Sequence, residues 1–526
     1  MILQALLKHL PFELNPTLYV SLFCFIILIS VLIKLHRTTR NEPNLPPSPP
    51  KFPFIGNLHQ LGILPHRSLT ALSHKYGPLM LLRFGQTPTL VVSSAHFARE
   101  IAKSHDVVFS DRPQTTAAKI LLYGCKDVGF LPYGEEWRLK RKICVLELLS
   151  LKRVQSFQYI REEEAANLVA KIRQACGQLN DRLSVNMSQM IIATSNNIVS
   201  RCLLGQKFDA ADGKSSFGEV ARKVMVQMAA FSFGNFFPSL RWMDVVTGLI
   251  PKLNATFREL DAFFDDVLAQ HKAAGRSESD EDHKSEKKDF VDILHQLQQD
   301  DLLDFQLTRS DLKAMIIDLF VGGSDTTSTA LEWAFAELMK NPRAMKKAQQ
   351  EVRRVMGNKS KVEENDVKQM KYLEWVLKET LRLHPPVALS VPRETTSGVT
   401  LGGYYIPPKT TVFLNAWGIQ RDPEFWKRPD EFEPERFENN QIEFKGQDFE
   451  FVPFGIGRRG CPGISFGLAS LGYVLANLLY WFDWKLPEPG KFAYQDMDMK
   501  ETFGLTVVKK LPIFVQPIPY HMPIAT

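Results

Sequence analysis

The stretch FGIGRRGCPG, Phe454 to Gly463, constrains this chain more than any other part of it. It sets Cys461 in a loop with Gly457, Gly460 and Gly463 close by and Arg459 two residues before it. An uncharged apolar run, Ile464 to Trp481, follows and reads as a helix. Such glycines let the backbone turn tightly enough for its N–H groups to point at a sulfur, and the helix presents its positive end to the same place. Both effects favour a thiolate. Phe454 is placed to shield one side from water, and Arg459 to neutralise an anionic group of a ligand. A lone cysteine after a Gly-rich turn is ordinary core structure. Six specified positions in ten residues are not: at about 5% per residue type, a chance match in a chain of this length is on the order of 1 in 100,000. The parts suit an iron porphyrin held by a cysteine thiolate, which pushes electron density onto the metal.

The loop resembles the haem loop of the cytochrome P-450 superfamily, Phe-x-x-Gly-x-Arg-x-Cys-x-Gly, at all six fixed positions. The resemblance implies haem b, with Cys461 as axial iron ligand and Phe454, Gly455 and Arg459 around it. It extends over roughly Pro46 to Pro519, as one large haem domain. Length alone, 526 residues, would suggest about three average domains. The implied fold is mainly α, a triangular haem domain with a small β subdomain near the N-terminus.

Composition closes off other classes. The six cysteines form no C-x-x-C pair, and their spacing suggests neither a zinc site nor a disulfide framework. A net charge of +6 is spread along the chain, with one cluster at Arg138 to Lys142, so no nucleic-acid stripe is present. Mild basicity suits an anionic membrane surface or an acidic protein partner.

Leu18 to Ile33 is sixteen residues without a charge, and with its neighbours it can just cross a bilayer. Lys34, Arg37 and Arg40 follow it, which places the bulk of the chain on the cytoplasmic side. A signal peptide is the alternative, but no small-x-small cleavage site follows. Five prolines within Pro46 to Pro53 then favour a stiff extended spacer, similar to the hinge of microsomal members of the family. The expected organisation is a lumenal 1–16, a transmembrane helix 17–35, a basic stop-transfer and proline hinge 36–56, and a cytosolic catalytic domain 57–526. Gly275 to Lys288 has no apolar residue and reads as an exposed loop.

Other motifs sit on predicted helices. Trp137 and Arg141 are four apart in EEWRLKRKI and share a face; in the family's W-x-x-x-R helix both reach a haem propionate. A long helix from about Ser310 to Lys340 has a capping-box-like start at Thr308 and Asp311 and stops at Asn341-Pro342. Gly322 and Gly323 fall within it, each costing about 1 kcal/mol relative to Ala, which suggests close approach of something bulky. Asp325 and Thr326 follow, and poor helix formers there could open the backbone ladder to water. GGSDTT resembles the family's oxygen-activation motif, which makes Thr326 the alcohol and Asp325 the acid of proton delivery. Glu379 and Arg382 lie at i and i+3, and Arg436 stands in PERF; the resemblance joins all three in a buried ion network behind the haem. Arg393 is a further candidate propionate partner.

The anchor, the hinge and PERF most resemble the plant A-type clan. The implied activity is insertion of one oxygen atom of O2 into a small lipophilic metabolite such as a terpenoid, oxime, phenolic or alkaloid, at the endoplasmic reticulum membrane. The implied partners are NADPH–cytochrome P-450 reductase, cytochrome b5 as an optional second electron donor, and the lipid bilayer. Arg138, Lys140, Lys142 and Arg458 are expected to steer the reductase. By resemblance the substrate pocket includes Ile120, Leu121, Phe231, Phe233, Gly322, Val387, Leu389 and Phe503, although core packing explains many of the same residues. Two other functions stay open: a haem-thiolate isomerase or dehydratase needing no reductase, and a non-enzymatic haem sensor or carrier.

Overall fold

The computed structural model describes residues 43–178, 184–207, 216–277, 288–299, 307–487 and 497–520, together with Ser21, Cys24, Phe25 and Leu28. Most of the expected transmembrane segment and residues 278–287 of the polar loop lie outside the described residues.

Helices dominate. Five carry the functional site: α1 (Glu135–Ile143), α2 (Met187–Leu204), α3 (Arg309–Lys340), α4 (Lys371–Leu383) and α5 (Ile464–Trp481). α3 is the longest of the five. Thr308 and Asp311 close a reciprocal capping box at its start, and Asn341 caps its end just before Pro342 opens the next helix. From Thr327 to Met339 every residue of α3 is buried, so packing on all sides, rather than one amphipathic face, holds it. α2 lies along it. Gly323 faces Val199, where a Cβ would stand 3.4 Å from Val199 Cγ2, and Ser195 donates to the Ser324 carbonyl at 2.9 Å. α5 is long and apolar enough to cross a membrane by composition, yet it is mostly buried among the other helices and serves as core.

The β structure is not confined to the N-terminal region. Strands β1 (Leu79–Phe84) and β2 (Thr87–Val92) form an antiparallel hairpin. The same sheet is completed by β3 (Arg393–Glu394) and β4 (Thr411–Leu414), in the order β1-β2-β4-β3. β4 runs parallel to β2, and β3 pairs antiparallel with β4 with Arg393 opposite Val412. Three smaller sheets complete the strands among the described residues.

Behind α4, Arg382 grips Glu379 with Nε and Nη2 at 2.7 and 2.9 Å, and Arg436 Nε reaches Glu379 Oε1 at 2.8 Å. Arg382 also donates to the carbonyls of Gln420, Pro429 and Glu431. Two guanidiniums on one carboxylate leave a net charge, which these carbonyl acceptors help to satisfy. Removing one member of such a network costs about 3–5 kcal/mol, because the partner stays buried and unpaired.

Candidate active site

The loop before α5 folds by its glycines. Gly455 and Gly457 take φ of +74° and +60°, and a Cβ on Gly457 would collide with the Asp106 carboxylate. The turn closes with Cys461 N donating to Phe454 O at 2.8 Å. Gly463, the residue before α5, donates its N–H to Cys461 Sγ at 3.3 Å. The sulfur is open to an internal cavity rather than to bulk solvent. Burial pushes the thiol up, while the Gly463 N–H and the Arg141 guanidinium pull it back.

The cavity leaves about 280 Å³ for the centre of a water molecule to move in, and its wall is mainly apolar. Cys461, Phe454 and Gly455 line one side. Gly322, Gly323, Thr326 and Ala330 of α3 line another. A Cβ on Gly322 would meet nothing within 4 Å, so this glycine keeps room in the cavity rather than admitting a neighbouring helix. α3 stays α-helical through this point. Thr326 donates its hydroxyl to the Gly322 carbonyl at 2.6 Å, a local bond that satisfies it without breaking the helix.

Four arginines gather at the cavity: Arg112, Arg141, Arg393 and Arg459. Arg459 spends its donors on the carbonyls of Ser110, Val128 and Leu131. Arg112 spends its own on Gly129, Val391 and Pro392. Arg141 donates to the Gly460 carbonyl. Arg393 donates to Ile456 O, but its Nη1 is buried with no hydrogen-bond partner, and the Asp106 carboxylate is 3.8 Å away. Burial and mutual repulsion hold Arg459 down to about 9, and burial alone brings Arg393 to about 10. Buried cations with too little negative charge around them call for an anionic ligand. A flat apolar molecule carrying two carboxylates, with an iron that takes a thiolate, fits this set: haem.

The expected site residues divide between the cavity and other places. Trp137 lines the cavity; its Nε1 donates to Val128 O at 3.0 Å, and Arg459 stacks on its ring at 4.2 Å from the centroid. The indole N–H is thus engaged with the backbone at the cavity wall. Asp325 does not line the cavity, because Thr506 Oγ1 holds its carboxylate on the other side of the helix. Burial pushes Asp325 up, with Thr506 and Arg222 working against it. Gly322 and Val387 are in the cavity wall, whereas Ile120, Leu121, Phe231, Phe233, Leu389 and Phe503 are not. Leu121 is core, and Leu389 and Phe503 pack against the β1–β2 hairpin side. Phe231 is 52% exposed, meets Phe233 edge-on and stacks on the half-buried Phe236. Lys140 is fully buried between Glu136 and Asp311, so it drops out of any docking surface. Arg112 and Asp318, both in the wall, carried no recognisable spacing. Only their position beside the thiol marks them.

A thiol aimed into an apolar cavity ringed by four guanidiniums suits a haem-thiolate protein. A profile of the Cytochrome P450 family matches residues 46–514. A phenylacetaldehyde oxime monooxygenase of Prunus mume is 53% identical over 519 residues, covering 98% of this chain and 97% of that one. Cytochrome P450 71A1 of Persea americana is 51% identical, covering 94% and 97%, and a desmethylyatein synthase of Sinopodophyllum hexandrum is 46% identical, also covering 94% and 97%. Among solved structures, a zebra fish cytochrome P450 with abiraterone aligns with a TM-score of 0.71 and 25% identity, over 88% of this chain and 100% of that one. The chain belongs to the cytochrome P450 family, in its plant A-type group, and is a monooxygenase. Its cofactor is thiolate-ligated haem, O2 is its co-substrate, and its chemistry is oxidation of plant specialised metabolites.

Proposed function

We propose that this enzyme inserts one atom of O2 into a small lipophilic metabolite bearing an aromatic ring, with aromatic aldoximes the first class to test, using electrons from NADPH through a flavoprotein reductase. The observation that carries this reading is one apolar cavity lined by both Cys461 and Thr326. The substrate class draws on the relative 53% identical, which is a phenylacetaldehyde oxime monooxygenase.

When bound, a thiolate-ligated haem supplies the reductive activation of O2. The residues do the rest. Cys461 Sγ is the ligand, kept anionic by the Gly463 N–H and Arg141. Arg112, Arg393 and Arg459 neutralise the two carboxylates of the cofactor, and Arg393 Nη1 is free to take one directly. Thr326 Oγ1, now bonded to Gly322 O, swings to hold a proton-donating water on the cavity side. Asp325 keeps a proton behind it, and the apolar wall keeps out bulk water. Glu379, Arg382 and Arg436 hold the fold.

The proposed setting is the endoplasmic reticulum membrane, with residues 1–16 lumenal, 17–35 spanning, 36–56 a basic stop and hinge, and 57–526 in the cytosol. An apolar rim supports membrane contact. Phe54 is 90% and Ile63 91% exposed, and Trp242, Val245 and Val246 are also exposed. The β1–β2 turn links the two groups, since Gly85 N donates to Ile55 O and Gln86 N to Phe236 O. The reductase approaches Arg138 and Lys142, with cytochrome b5 as a second donor.

The test is a spectral titration of the purified enzyme with phenylacetaldehyde oxime, followed by product analysis with reductase, with and without NADPH. Product only with NADPH supports the proposal. Turnover without NADPH overturns the reductase dependence, and no spectral shift with any aldoxime overturns the substrate class.

A further inference from the structure

The segment Asp127–Phe130 lies between two acids. Val128 N and Gly129 N donate to Asp318 Oδ2 at 3.1 and 3.0 Å, and Phe130 N donates to Asp127 Oδ2 at 2.8 Å. A Cβ on Gly129 would stand 3.0 Å from Asp127 Oδ2 and 3.1 Å from Asp318 Oδ1, so the two carboxyl groups close on one glycine. Asp127 is completely buried, and its Oδ1 has no hydrogen-bond partner. The carbonyl side of the segment faces the other way. Val128 O accepts from Trp137 Nε1 and Arg459 Nη1, and Gly129 O accepts from Arg112 Nε at 2.9 Å. One short piece of backbone is therefore gripped by two acids and in turn grips three donors at the cavity.

Two full negative charges on one buried glycine would repel, and among the described residues neither acid has a cation in ion-pair contact. A proton on Asp127 removes charge from the oxygen that no donor reaches, which is the cheapest arrangement for a buried carboxyl. We propose that Asp127 and Asp318 carry one proton between them, resident on Asp127, and that this pair is a positioning device that holds the segment on which Trp137 is anchored and sets Arg112 and Arg459 for the cofactor's carboxylates. The destination of the device rests on the binding roles given above to Arg112 and Arg459; the shared proton does not. The charged groups facing the pair are Arg112, Arg141 and Arg459, and the nearby thiols are Cys125, Cys144 and Cys461. Burial and the neighbouring carboxylate push Asp127 well above the usual range. Burial pushes Asp318 up to about 6 against the pull of the two N–H donors and Arg112. The pair titrates as a unit. Its second proton loss would turn attraction for the segment into repulsion between the acids.

The experiment uses the haem-loaded enzyme. Infrared spectra taken across a pH titration should show the C=O stretch of one protonated carboxyl. Asp127→Asn should abolish this band, and Asp318→Asn should move its titration to lower pH by removing the like charge. Asp318→Ala should speed haem transfer to apomyoglobin on the order of 10-fold to 100-fold, as loss of an outer-shell partner does, and should raise hydrogen exchange at the Val128 and Gly129 amides. In the unaltered enzyme haem loss should rise with pH in step with the disappearance of the carboxyl band, and Asp127→Asn should flatten that rise. A missing carboxyl band, or one indifferent to Asp127→Asn, overturns the shared proton. A normal band with haem loss and amide exchange unmoved in both Asp318 variants overturns the positioning role. Failure of the haem assignment itself would show earlier, in the unaltered enzyme's reduced carbon monoxide spectrum.

Discussion

Thr326 and Asp325 are neighbours in sequence but face different compartments. The hydroxyl lines the cavity; the carboxylate is tied to Thr506 behind the helix. Their variants should fail differently. Thr326→Ala should leave the reduced carbon monoxide spectrum intact and NADPH consumption running, but divert electrons to hydrogen peroxide. Loss of one positioned proton donor costs on the order of 100-fold in the step it serves. Product and peroxide per NADPH measure this, and unchanged coupling would reduce Thr326 to a packing residue. Asp325→Asn should slow turnover more than it uncouples, because the acid resupplies protons without touching the cavity. For Cys461 the test is sharper. Cys461→Ala should abolish the red-shifted Soret band that thiolate ligation gives the reduced carbon monoxide complex; a band that survives removes Cys461 as ligand.

At the scale of elements, α3 trades stability for space at Gly322. A Cβ there meets nothing within 4 Å, so Gly322→Ala should stabilise the helix by about 1 kcal/mol. The same methyl enters the cavity, so Tm should rise while substrate affinity falls. If Tm falls instead, Gly322 answers to some backbone need of the helix. The segment Glu501–Lys509, which carries Thr506, is pinned to the helix Pro65–Tyr76 by one acid. Burial alone would raise Glu501, but hydrogen bonds from His66 and Arg67 hold it down at about 2. A carboxyl lowered on folding stabilises above its unfolded pKa, near 4.5, and loses that contribution as pH falls toward 2. Two to three pKa steps correspond to about 3 kcal/mol. The Tm gap between the unaltered enzyme and Glu501→Gln should therefore close below about pH 4, and a gap independent of pH would refute the pin. The parts of these elements that sequence made legible are those set by local chemistry. Thr308, Asp311 and Asn341-Pro342 bounded α3 because capping is short-range. The glycines around Cys461 announced a turn for the same reason. Asp127, Asp318 and Arg112 fall in stretches that resemblance assigns to the pocket wall, but none stood out as a residue, because their meaning lies in a meeting between distant segments and each alone looks like a surface charge. Phe231 misled for the opposite reason, since an aromatic reads as a pocket wall whether it faces the cavity or the outside.

At the scale of the whole molecule, the proposed membrane setting divides the work of attachment between charge and apolar surface. Deleting residues 1–36 should release the enzyme from carbonate-washed membranes while leaving weaker binding through Phe54, Ile63 and Trp242. Full retention after washing would place the anchor elsewhere. Charge reversal at Arg138 and Lys142 should slow the first electron transfer at low salt and spare substrate affinity, because steering acts on encounter rather than on the cavity. Stopped-flow reduction measures it, and unchanged rates would clear this surface of the role. The four cavity arginines come from Arg112, Arg141, Arg393 and Arg459, positions that span most of the chain. No partly folded chain can present them together, so the cofactor's affinity belongs to the finished fold alone. Until a dianion arrives, like charges press apart at the centre of the molecule. A cell that runs short of porphyrin should therefore lose the polypeptide as well as its activity, through proteolysis of chains that never close. The yield of intact protein from an expression host should follow haem supply, as a matter of quality control rather than of catalysis.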